Sequence, residues 1–273
     1  MSIIAISRGT HSGGEALARA LAERLEYRCV SREVLLQAAR DYGVPLEELR
    51  AAMENRPSFW ERLAGMRRTH LVFVQAALCE QAESGNLVYH GHVGHLLLPG
   101  VTHLVRVRVV AGTEFRLAAI MRERGLARRE AELYLDRVDR DRREWTRFLF
   151  GVDWDDPHLY DLLLNLDRMS LEAACDVVMG LVGREEFQPT PASRRAMADL
   201  VLASRVRAVL ASTPSTRDAD LQVAAEDGSV TITGATAFSA VPEAVRWVAQ
   251  TVEGVTEIRA EIEILPLTYH SML

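Results

Sequence analysis

The chain has 273 residues, 48% hydrophobic and 26% charged, enough for one large domain or two of ordinary size with real cores. Its net charge of −6 argues against a general nucleic-acid binder. With no apolar run of membrane-spanning length and no secretory pattern in the first residues, a cytoplasmic setting is expected.

Three scattered cysteines, Cys29, Cys79 and Cys175, give neither a disulfide framework nor metal-ligand spacing. Lysine is absent and all 32 basic residues are arginine, so Schiff-base chemistry through lysine is excluded.

In chain order, residues 3–6 (IIAI) read as a buried parallel strand. A glycine loop follows, then a helix from about Gly14 to Leu25 with Leu17, Leu21 and Leu25 on one stripe. Residues 9–16, GTHSGGEA, have the outline of the phosphate-binding loop G-x-x-x-x-G-K-[ST] as far as Gly14, in the strand–loop–helix context it requires. Glu15 then stands in place of the lysine and Ala16 in place of the hydroxyl. Backbone amides and the positive helix end grip phosphate without side chains, and Ser12, Gly13 and Gly14 keep that part. A bare carboxylate at Glu15 is expected to repel a polyphosphate by roughly 1–4 kcal/mol.

Helices are expected at 33–41, 46–53 and 59–84, and strands at LVYHGH (87–92) and HLVRVRVV (103–110). Further helices are expected near 113–125, 128–149 and 170–183, an alternation that implies a parallel sheet covered on both faces. On the helix at 128–149, Arg137, Asp139 and Arg142 form a charged surface with Asp139 and Arg142 at i, i+3. In DWDDP, Asp153, Asp155 and Asp156 could suit magnesium, but a capped turn with Pro157 in the first helical position is the simpler reading. His90, His92 and His95 lack a nearby carboxylate or cysteine, so no metal site is expected. Trp145, Phe148, Phe150 and Trp154 have the spacing of core packing at a lid hinge.

Pro189 and Pro191 mark a linker, taken as 187–197, between a domain at 1–186 and a module at 198–265 with a tail at 266–273. In the module a helix at 196–211 leads to a hairpin around Asp227-Gly228, a helix at 239–252 and a last strand, TEIRAEIEIL. Residues 198–273 hold ten acidic and five basic residues, so most of the net charge lies there.

ISRGTHSGGEALARALAERL, SREVLL (31–36), VYHGHVGHLLLPGV (88–101), RVDRDR (137–142) and GVDWDDPHLYDLLLNLDRMSLEAA (151–174) resemble, in order, segments of the cytidylate kinase-like family of P-loop nucleoside monophosphate kinases. VRAVLASTP, DGSVTITG and VEGVTEIR resemble a BON domain, a small αβ module linked to phospholipid or protein interaction. The resemblance implies an α/β P-loop fold plus a small α+β module. It also implies transfer of the ATP γ-phosphoryl group to a nucleoside monophosphate, CMP or dCMP first, with Mg²⁺ held mainly by phosphates and water. It assigns Arg8, Gly9, Ser12, Gly13, Gly14 and Glu15 to the ATP phosphates, Arg32 and His92 to the monophosphate, and Arg137, Asp139 and Arg142 to phosphoryl transfer. Arg116, Arg122 and Arg124 are weaker candidates. In related enzymes the glycine turn reads Gly-Arg-Asp; here it is Gly91-His92-Val93. The alternative reading is a pseudokinase, a nucleotide sensor or scaffold whose BON-like module binds a protein or phospholipid partner.

Overall fold

The computed structural model describes residues 2–31, 42–43, 66–92 and 94–265. Arg32, the helices expected at 33–41 and 46–53 and the tail at 266–273 lie outside the described residues.

Among the described residues the first domain is built on a five-stranded parallel sheet in the order β2-β3-β1-β4-β5. The strands are β1 (Ile3–Arg8), β2 (Arg28–Ser31), β3 (Leu87–Gly91), β4 (Leu104–Val110) and β5 (Leu162–Asn165). A parallel strand covered on both faces reads as a continuous apolar run, and Ile3 to Ile6 are each at most 1% exposed. Ile4, Ile6, Val105 and Val107 pack with Leu17 and Leu21 of α1 (Gly14–Leu25) and with Ala174 and Val178 of α5 (Leu171–Val182). On the other face Ile3, Ala5 and Tyr89 pack with Phe73, Val74 and Leu78 of α2 (Met66–Glu83) and with Met197 and Val201 of α6 (Pro191–Ser212).

α3 (Thr113–Arg124) and α4 (Arg128–Phe150) form a helical hairpin after β4. Leu117, Ile120, Ala131 and Leu135 make a small core of its own. β1 lies between β3 and β4, and successive crossovers run to opposite sides of it. Its carboxyl end is therefore where an open α/β sheet offers a crevice.

Two strands are additional to the sequence expectation. β2 and β5 are four-residue edge strands in register with β3 and β4. The stretch expected as a linker at 187–197 is largely ordered: a 3₁₀ turn at Glu185–Phe187 runs into its start, and α6 begins within it at Pro191. Thr190 caps α6: its hydroxyl accepts from the Ser193 amide, and Pro191 fills the first turn.

α6 is apolar on two sides. Met197, Val201 and Ala208 enter the first core, while Leu202, Val206 and Leu210 enter the core of the C-terminal module. At about 100° per residue the two stripes lie about 160° apart. That second core lies against a mixed sheet, β6 (Asp220–Glu226), β7 (Ser229–Thr236) and β8 (Glu257–Ile264), with α7 (Val241–Gln250) crossing over from β7 to β8. β6 and β7 are antiparallel around Asp227 and Gly228, with φ of 47° and 85°, and β7 and β8 are parallel.

Candidate functional site

The loop after β1 is fastened from within. The Gly9 amide donates to the Val109 carbonyl (3.1 Å) and the Ser12 amide to the Gly9 carbonyl (3.2 Å). The Ser12 hydroxyl donates to the Gly9 carbonyl (2.9 Å), with the Val109 carbonyl 3.2 Å away. Gly9 and the Ser12 side chain therefore shape the loop from inside. Gly13, at φ 85°, turns the chain into α1, and a Cβ on Gly14 would stand 2.6 Å from the Cβ of Arg8. The first backbone bond of α1 runs from the Leu17 amide to the Gly13 carbonyl (3.1 Å). The amides of Gly14, Glu15 and Ala16 precede that bond and have no helical acceptor.

Gly13, Gly14, Glu15 and Ala16 line a cleft of about 1230 Å³ between the loop and the α3–α4 hairpin. Its described lining holds six arginines, Arg8, Arg19, Arg122, Arg124, Arg137 and Arg142, against three carboxylates, Glu15, Glu123 and Asp141. Glu15 is not a bare charge. It pairs with Arg19 at 2.8 Å, one helical turn on, and with Arg8 at 3.8 Å. The repulsion expected from the sequence is thus offset by two guanidiniums on either side of the carboxylate. The Arg8 Nε is buried with no hydrogen-bond partner among the described residues.

Three ties run from the hairpin to the loop. Arg142 Nη1 donates to the Arg8 carbonyl (3.3 Å). Arg116 Nε donates to the Thr10 carbonyl (2.8 Å), while its Nη2 pairs with Asp139 at 2.7 Å. His11 Nδ1 meets Glu123 at 2.7 Å, with its ring edge-on to Tyr134 at 6.2 Å. Burial is the main influence on His11 and lowers its pKa despite the carboxylate. His11 also holds φ at 53°, a left-handed value that a non-glycine residue adopts at a cost. Tyr134 carries Arg124 over its ring at 4.3 Å and Arg137 at 5.9 Å.

The structure therefore brings Arg8, Gly13, Gly14, Glu15, Arg137 and Arg142 to one cleft. Asp139 acts through Arg116, which grips the loop, and does not line the cleft. His92 lies elsewhere: its Nε2 is 2.8 Å from the Thr146 hydroxyl and 3.2 Å from the Arg142 carbonyl. Its ring packs at a tilt against those of Trp154 (4.5 Å between centroids) and Trp145 (5.2 Å). His92 thus fastens the glycine turn to α4. Sequence reasoning ranked Arg116 low and missed His11, Glu123, Thr10 and Arg108. The last carried a signal, since LVRVRVV places two arginines on one face of a strand that must be covered.

No group of three His, Cys, Asp or Glu suited to a metal occurs among the described residues. Asp141 is one of the three carboxylates that line the cleft, while Thr10 Oγ1 is buried with no hydrogen-bond partner among the described residues. So sparse a set of protein oxygens fits a magnesium ion held chiefly by phosphates and water. Asp156 caps the turn at Pro157–Leu159 by accepting from the His158 amide, which accounts for one acid of DWDDP as a structural group.

The cytidylate kinase-like family matches residues 3–168, and the BON domain matches residues 198–266. A cytidylate kinase of Ignicoccus hospitalis is 29% identical over 182 residues, covering 65% of this chain and 97% of that protein. One of Staphylothermus marinus is 26% identical over 181 residues, covering 65% of this chain and 94% of that protein. Among solved structures, an uncharacterised protein from Eubacterium ventriosum is similar with a TM-score of 0.51 at 19% identity, covering 67% of this chain and 100% of that one.

Proposed function

The chain belongs to the cytidylate kinase-like family, and on that premise we propose that it transfers the γ-phosphoryl group of ATP to a nucleoside monophosphate, CMP or dCMP before others. One observation carries the reading: the unpaired amide end of α1 opens into a cleft where arginines outnumber carboxylates two to one. The amides of Gly14, Glu15 and Ala16 hold the donor phosphates. Arg8, Arg137 and Arg142 supply the positive charge usually shared with a loop lysine. An oxygen of the acceptor phosphate bonds to the γ-phosphorus as the bond to the β–γ bridging oxygen breaks, and ADP leaves with that electron pair. The arginines stabilise charge as it develops on the transferred group and the leaving oxygen. Magnesium, when bound, would shield the phosphates electrostatically, held chiefly by phosphates and water with Asp141 the acid on the α4 side of the cleft. Asp139, through Arg116, fixes the Thr10 carbonyl and so the shape of the loop.

A coupled ADP-release assay with CMP, dCMP, UMP and AMP tests this. Turnover with a pyrimidine monophosphate is expected, and no turnover with any of the four by folded protein in magnesium overturns it.

The Glu15 carboxylate between Arg8 and Arg19 favours a second reading, in which the cleft binds nucleotide without turning it over. Calorimetric ATP binding with no ADP release would select it. In either reading the BON domain is the partner-binding unit. Its acidity favours a protein over an anionic lipid surface, and co-sedimentation of the full chain with anionic liposomes would reverse that preference.

A further inference from the structure

Two histidines of the first domain are held in opposite ways. Behind β4, His95 lies in an aromatic box with Tyr160, Trp154 and Arg108, whose guanidinium is 3.9 Å over the Trp154 ring. Both ring nitrogens of His95 are buried without a partner among the described residues. That ring is sealed.

His11 is open. It lines the cleft over the phosphate loop, with 16% of its side chain exposed. Its Nδ1 meets Glu123 Oε2 at 2.7 Å, and Arg122 holds the other oxygen of Glu123 at 3.2 Å. A carboxylate only accepts, so Nδ1 carries the ring proton and donates it. Nε2 is left with a lone pair, and it is neither sealed nor bonded among the described residues. The loop is braced on both sides of the ring, at the Thr10 carbonyl by Arg116 and at Gly9 by the Ser12 hydroxyl. The φ of 53° at His11 suits glycine, and a side chain kept there at a cost is the kind of strain that gathers at ligand-handling turns.

We propose that His11 is a ligand of the donor phosphates, oriented by Glu123 and charged when a polyphosphate binds, so that an imidazolium on the loop stands in for the ammonium that Glu15 displaced. The assignment rests on the kinase reading above. In the free protein burial, the largest influence, lowers the His11 pKa, and Arg124 and Arg8 add to it against Glu123. A triphosphate brings negative charge to the ring and reverses that balance. One proton then passes from the buffer to Nε2. The new N–H donates to a phosphate oxygen, while Nδ1–H stays on Glu123. The groups facing the ring are Glu123 and Arg124 of α3, Arg8 of β1 and Tyr134 of α4. Across the cleft α4 adds Arg137, Asp141 and Arg142, and α1 adds Glu15 and Arg19.

The test uses the full chain, with ATP and inorganic tripolyphosphate as probes. Calorimetry at pH 7.5 in buffers of different ionisation enthalpy counts the protons bound. The wild type is expected to take up about half a proton or more with each ATP. His11→Gln keeps a polar side chain and cannot titrate; it should bind ATP about tenfold more weakly with no uptake. His11→Gly relieves the turn, so the same loss of affinity should come with a thermal midpoint unchanged or raised, which a packing role would not give. Glu123→Gln alters a half-exposed carboxylate, serves if the His11 variants do not fold, and should at least halve the uptake.

No uptake by the wild type overturns the assignment, as does unchanged ATP affinity in both His11 variants or unchanged uptake in Glu123→Gln. Wild-type turnover of a nucleoside monophosphate alongside any of these leaves the kinase reading intact. Proton-linked, His11-dependent ATP binding without turnover does the reverse. Binding of tripolyphosphate alone, with the same uptake, keeps the phosphate ligand and removes the nucleotide. Failure to bind either probe overturns both.

Discussion

The cleft over the phosphate loop and the aromatic box behind β4 both gather arginines, and they handle charge in opposite ways. In the cleft the charges are partly solvated and shared: Glu15, Arg8 and Arg19 form one chain of contacts, and six arginines line the same space. In the box one guanidinium is sealed between Trp154 and Tyr160, with a single carboxylate on one arm. Charge in a solvated cleft is forgiving because water screens what the protein omits; in a low-dielectric box each omission counts in full. That difference predicts that a change of charge at Glu15 is felt less than one at Arg108, which is 4% exposed.

The sharpest attack on the comparison is acid. His95 titrates near 6.5 unfolded and near 4 in the box, so the folded state binds fewer protons between those values. The stability this supplies is whole above about pH 6.5 and is lost as pH falls toward 4, a change of about 3 kcal/mol. His11 and His103, also lowered by burial, act in the same direction. Urea midpoints from pH 7.5 to 4.5 should fall steeply, and His95→Gln should flatten that fall; an unchanged slope would refute the sealed box.

Next comes Arg142, which joins the two regions: its carbonyl meets His92, its guanidinium meets the Arg8 carbonyl, and Trp154 lies 6.0 Å away. Arg142→Ala should cost about 100-fold in kcat/KM, about 2.7 kcal/mol, read by steady-state kinetics with both substrates varied. A smaller effect is expected within the cleft. Glu15→Gln frees Arg8 and Arg19 for phosphate and should tighten ATP about three- to tenfold by calorimetry, whereas weaker binding would show that the carboxylate positions them. The control lies outside both regions: removing the exposed Arg128–Glu114 pair with Arg128→Gln should leave the thermal midpoint unchanged within error.

The sequence disclosed the loop because its cues are local: an apolar run, glycines at fixed spacing, a leucine stripe. The layered α/β fold and the separate α+β module followed from alternation of periods, and the structure has both. β2 and β5 escaped notice because short edge strands carry little pattern; in β2 only Val30 is buried. The lid charges were visible but their partners were not. Spacing along α4 pairs Asp139 with Arg142, whereas Asp139 reaches across to Arg116, a contact set by how two helices pack. Arg108 belongs to a strand expected at 103–110, but its partner Trp154, 46 residues on, could be placed against it only by the packing of the sheet.

Because α6 shows one flank to each interior, the kinase fold and the BON fold have no seam at which they can be parted cleanly. A protease or an expression boundary placed anywhere along Pro191–Ser212 would leave one half missing a wall and the other carrying an orphaned greasy strip. Each unit's unfolding is thereby expected to be tied to its neighbour's, since loss of either interior uncovers one stripe of the shared rod.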